Sequence, residues 1–117
     1  MCHKPGGGAP FSMRVTVDNA AKKTPDDVTT TDVFGGAVNH VSGFVPAGAS
    51  GTYYRLRPTD DTRSTIFYRM GQRDQLAGGT QQMPPLDTHS VDAAGRQAID
   101  NWIAFMTPAN GYPTPAP

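Results

Sequence analysis

Apolar and polar positions follow two different periods along this chain, and the change between them divides it into two halves. In Phe11, Ser12, Met13, Arg14, Val15, Thr16 and Val17 every second side chain is apolar, the period of a half-buried strand. Residues 19–32 are mostly polar, with a turn expected at Thr24, Pro25, Asp26 and Asp27. Residues 33–45 are punctuated by glycine and read as weakly β, residues 46–51 as a loop, and residues 52–57 as a further strand. The helical spacings come later. A helix is expected from Thr62 or Ser64 to Met70, stopped by Gly71, with Ile66, Phe67 and Met70 neighbouring one another on its inward side. Residues 72–82 read as a polar loop around Gly78 and Gly79. The clearest element is the last helix. Asp92 is placed to cap it, Ala94, Ala98, Ile99, Trp102, Ile103 and Met106 recur at helical spacing, and Thr107-Pro108 ends it.

Composition narrows the classes. A chain of 117 residues suits one domain, burying roughly two-thirds of its unfolded surface. We read residues 1–108 as that domain and residues 109–117 as a proline-rich tail or linker. Lys plus Arg and Asp plus Glu both number 10, and the resulting zero net charge argues against non-specific nucleic-acid binding or a polybasic membrane patch. No apolar run is long enough to cross a membrane. Gly (13) and Pro (11) make up about a fifth of the chain, which predicts much loop. A chain that wraps a large apolar cofactor tolerates this, because the cofactor supplies core volume.

The candidate chemistry lies near the two ends of the chain. Cys2 followed by His3 supplies the last two positions of a C-x-x-C-H haem-attachment site, in which thiols bond to the porphyrin vinyls and the imidazole ligates iron. Met83, Pro84, Pro85 and Leu86 hold a thioether on a stiffened segment, because Pro84 biases Met83 towards extended backbone. A weak sulfur ligand needs that preorganisation. Phe67, Ile99 and Trp102 are the candidate apolar wall, and Arg55, Arg57, Arg69 and Arg73 are candidate partners for haem propionates. Other chemistry has less support. A single cysteine excludes an internal disulfide and a structural zinc set. No metalloprotease helix motif, phosphate loop or evident carboxylate pair is present. His40 and His89 read as exposed or locally hydrogen-bonded, with His89 the better placed as a substitute sixth ligand, and Tyr53, Tyr54 and Tyr68 read as packing residues.

Cys2-His3-Lys4-Pro5-Gly6-Gly7, the run from Ser64 to Met70, Gln82-Met83-Pro84-Pro85-Leu86, Val91-Asp92 and the helix through Trp102-Ile103 together resemble the class I c-type cytochromes, especially cytochrome c domains of exported bacterial proteins. The resemblance covers about half of the chain. It implies a mainly α cytochrome c-like fold in which residues 11–57 are a β-rich or loop insertion. It also implies a missing amino-terminal helix, with the chain cut within its haem-attachment site and an export signal further upstream. By resemblance, His3 and Met83 are the axial ligands of a haem c iron and Cys2 forms one thioether bond. The same resemblance implies an electron-transfer module rather than an enzyme, periplasmic or otherwise extracytoplasmic, whose partner is a redox protein or an attached redox domain. The competing expectation, from a different class, is a haem-free accessory or interaction domain on a degenerate version of the same fold.

Overall fold

Helix formation in this chain follows its caps. In the computed structural model, which describes residues 29–73 and 90–117, Thr31 precedes helix α1 (Asp32–Ala37) and its hydroxyl accepts from the Phe34 N–H at 3.2 Å. Asp60 caps a 3-10 turn over Asp61–Arg63, accepting from the Arg63 N–H at 3.2 Å. That turn leads directly into helix α2 (Thr65–Met70), which stops at Gly71. Asp92 caps helix α3 (Ala93–Phe105), its Oδ1 accepting from the Gly95 N–H at 2.9 Å. Each cap satisfies a backbone donor that the first helical turn leaves without a partner. A short 3-10 turn, Pro108–Asn110, follows α3.

The described body is thus mostly helical, with little strand. Where residues 33–45 were expected to be weakly β, α1 takes the stretch up to Ala37, despite Gly35 and Gly36 within it, and the remainder makes isolated bridges at Val38 and Val41. The reason lies in packing: Phe34 and Ala37 both turn into the core, and tertiary burial outweighs poor helix propensity. The expected strand over residues 52–57 is reduced to isolated bridges, Val38 with Leu56, Val41 with Tyr54, and Tyr54 with Ser64. The inward alternation of that stretch nonetheless holds, because Tyr54 and Leu56 are buried and Tyr53 and Arg55 are not. The expected strand over residues 11–17 lies outside the described residues.

A single apolar cluster ties these pieces together. Phe34, Ala37, Val38, Leu56, Ile66, Ile103, Met106 and Tyr112 are buried, and Phe67, Met70, Ile99 and Trp102 pack against them from the side. Of the expected inward positions of α3, Ile103 and Met106 are buried and Ile99 and Trp102 half-buried, whereas Ala94 and Ala98 face solvent. Residues 29–57, part of the segment read as an insertion, therefore supply half of this core. Tyr112, from the tail, supplies another piece, its ring 5.8 Å from Phe34 and 5.9 Å from Phe105. Among the described residues, no helix is long and apolar enough to cross a membrane.

Candidate functional site

Helices α2 and α3 pack on one another and carry the described part of the candidate site. Phe67 and Met70 come from α2, Ile99 and Trp102 from α3, and all four are packed on the core while remaining partly exposed. Large apolar side chains left half-covered form a surface that can take an apolar partner. Phe67 and Trp102, the two residues expected in the haem wall, are both among them. Cys2, His3, Met83 and Pro84 lie outside the described residues, as does His89. His40 is exposed, and its carbonyl accepts from the Arg55 N–H at 2.8 Å.

The side chain closest to Phe67's ring face is one that sequence reasoning missed. The Arg96 guanidinium lies 3.9 Å from the Phe67 ring centroid, a cation–π contact made at the N-terminal half of α3. Gly71 makes room for it, since a Cβ at that position would stand 3.0 Å from Arg96 Nε. Phe67 and Arg96, with Val91, Ala93, Gln97 and Asp100, line an open recess of about 210 Å³. One ring face of Phe67 is therefore taken by a cation. Nothing in the hydrophobic spacing signals the Arg96–Phe67 pair, because the two residues come from separate helices.

The four arginines proposed for propionates already have work within the protein. Arg55 donates to the Gly36 carbonyl at 2.6 Å. Arg57 forms an ion pair with Asp60 and donates through Nε to the Ala116 carbonyl at 3.0 Å. Arg69 stacks on Phe44 at 4.8 Å. Arg73 donates to the carbonyls of Met70 at 3.2 Å and Ser90 at 2.7 Å, and also to that of Gln72. Arg73 therefore ties the end of α2 to Ser90, shortly before α3. The Nε atoms of Arg73 and Arg96 are buried without a hydrogen-bond partner.

Among the described residues, Asp60 is an ionisable group clearly shifted by its surroundings. Burial acts to raise its pKa, but hydrogen bonds from the Thr62 hydroxyl, Arg57 and the Arg63 N–H, with the positive charge of Arg57, together hold it below the ordinary aspartate value. It belongs to the turn that leads into α2, and its role is to fix the entry to that helix. Among the described residues, no three His, Cys, Asp or Glu side chains gather as a metal site. Phe67, Met70, Ile99 and Trp102 are the apolar side chains of α2 and α3 that pack on the core while partly exposed. Comparison of the chain with protein-family models, with curated proteins and with solved structures finds no match.

Proposed function

We propose that this chain is a monohaem c-type cytochrome domain that passes single electrons and carries out no substrate chemistry of its own. The observation that carries the reading is the order of elements along the chain: Cys2-His3, then Met83 before two prolines, then an Asp92-capped helix bearing Trp102 and Ile103. The half-buried apolar side chains of Phe67, Met70, Ile99 and Trp102 support it, because an apolar ring face needs such a surface to exclude water.

In this reading Cys2 would hold the group covalently, and His3 and Met83 would offer its iron an imidazole nitrogen and a thioether sulfur. Bound haem supplies a one-electron iron couple, whose potential His/Met ligation raises relative to two imidazoles. Pro84 and Pro85 limit the conformations open to Met83, so that less entropy is lost when its sulfur is fixed. Arg73 donates to the carbonyls of both Met70 and Ser90, which ties the end of α2 to the residues before α3. The domain is placed outside the cytoplasm, where haem attachment to cysteine occurs, and its partner is a redox protein or an attached redox domain.

The test is expression of the protein as its gene encodes it, in cells with a haem-attachment system. Haem that stays with the polypeptide under denaturing conditions supports the reading. A purified protein that folds and carries no haem refutes it. One observation favours the second reading, a haem-free accessory or interaction domain. Ile103 of α3 and Met106 at its C-cap are buried in one cluster with the chain's own Phe34, Leu56 and Tyr112, so part of the core is closed by protein side chains alone.

A further inference from the structure

Independently of any haem, the last residues of the chain are held through their backbone by side chains of the body. Tyr112, Thr114 and Ala116 each precede a proline, so their backbones are held to extended conformations before any contact is made. Prolines 113, 115 and 117 have no N–H, which leaves Thr114 and Ala116 as the only backbone donors beyond Tyr112. An extended proline-spaced segment has no internal hydrogen bonds, and its carbonyls point outward for recognition.

Three side chains from the body meet these groups. Asn39 uses both ends of its amide: Nδ2 donates to the Thr114 carbonyl at 2.8 Å, and Oδ1 accepts from the Ala116 N–H at 3.0 Å. Arg57 Nε donates to the Ala116 carbonyl at 3.0 Å, with the rest of its guanidinium fixed by Asp60. The Tyr54 hydroxyl donates to the Pro117 carbonyl, so a side chain only 5% exposed finds its polar partner in the tail. Asn39 adopts φ of +58°, a left-handed conformation that asparagine tolerates better than most residues, and it keeps its side chain at the tail.

We propose that Asn39, Tyr54 and Arg57 form a binding site for an extended, proline-spaced peptide, and that residues 114–117 are its resident ligand. Every contact is to backbone, so specificity comes from proline spacing, which removes competing donors and presets the extended form. Tyr112 anchors the segment by burial between Phe34 and Phe105.

The experiment is amide hydrogen exchange read residue by residue in the full chain. The Ala116 amide should be protected relative to a free peptide of the same sequence. Asn39→Gly, which keeps the left-handed backbone free of strain, should lower that protection by roughly tenfold while leaving the α3 amides unchanged. Arg57→Lys is a second variant and should lower it several-fold. Replacing Pro113 and Pro115 with alanine should also lower it, because the segment then loses its preset conformation. Ala116 exchanging at the free-peptide rate in the unaltered protein, or protection that survives Asn39→Gly, overturns the site. Protection unchanged in the proline variant overturns the assignment of ligand class.

Discussion

Replacing Ser64 with alanine tests how the apolar surface of α2 is held in place. Ser64 is 0% exposed, and its hydroxyl accepts from the Arg57 N–H at 2.8 Å and donates to the Asp60 carbonyl at 2.7 Å. One oxygen thereby joins the bridge segment, the capping turn and the start of the helix that carries Phe67 and Met70. Alanine fills nearly the same volume, so the change isolates the hydroxyl. It leaves one donor and one acceptor without partners in a part-buried setting, and each such group costs about 1–3 kcal/mol where water does not replace the lost bond. With partial relaxation, the expected loss is about 2–4 kcal/mol, or a fall in melting temperature of about 10 °C for a domain of this size. The assay is urea unfolding followed by fluorescence of Trp102, with thermal melting as a second readout. Thr62→Ala is the control: its hydroxyl also bonds to Asp60, at 2.6 Å, but is exposed, so its loss should cost less than about 0.5 kcal/mol. A Ser64→Ala cost no larger than that of Thr62→Ala refutes the reasoning.

Gly95 lies in the first turn of α3, where a Cβ would meet the Asp92 carboxyl carbon at 2.9 Å. Gly95→Ala should therefore bring no stability, whereas in an Asp92→Ala background it should gain about 1 kcal/mol; a double-mutant cycle in urea reads the difference. Thr59 is exposed with φ of +60°, so Thr59→Gly should stabilise by about 0.5–1 kcal/mol, seen as a higher urea midpoint at unchanged slope. The folded pKa of Asp60 lies below its unfolded value near 3.8, so its contribution is full above that value and is lost as pH falls through the lower folded one. The melting-temperature gap between the unaltered protein and Asp60→Asn should accordingly shrink on acidification below pH 3.8, and a gap that stays constant contradicts this.

What the sequence disclosed depended on whether the determining contacts were local. Helix α3 was legible because its cap, its period and its stop all lie within fifteen or so residues, and α2 because Gly71 marks its end. Helix α1 was not, since Gly35, Gly36 and Val33 are poor helix formers and only burial of Phe34 and Ala37 overrides them. A local signal was present in Thr31, whose hydroxyl caps the helix. The segment 112–117 has the composition of a linker, and its attachment rests on Asn39, more than seventy residues away, which no spacing rule reaches. The same holds at the candidate site. Phe67 and Trp102 were legible as inward-facing apolar residues, while the stacking of Arg96 on Phe67 follows only once the two helices meet. Cys2, His3, Met83 and Pro84 remain expectations from the sequence.

The convergence of His3 and Met83 on one iron is tested most directly by the far-red absorption of the oxidised, haem-loaded protein. The account predicts a weak sulfur-to-iron band that disappears in Met83→Ala, together with a lower reduction potential. A haem-loaded protein whose spectrum and potential are the same with and without the Met83 sulfur contradicts it.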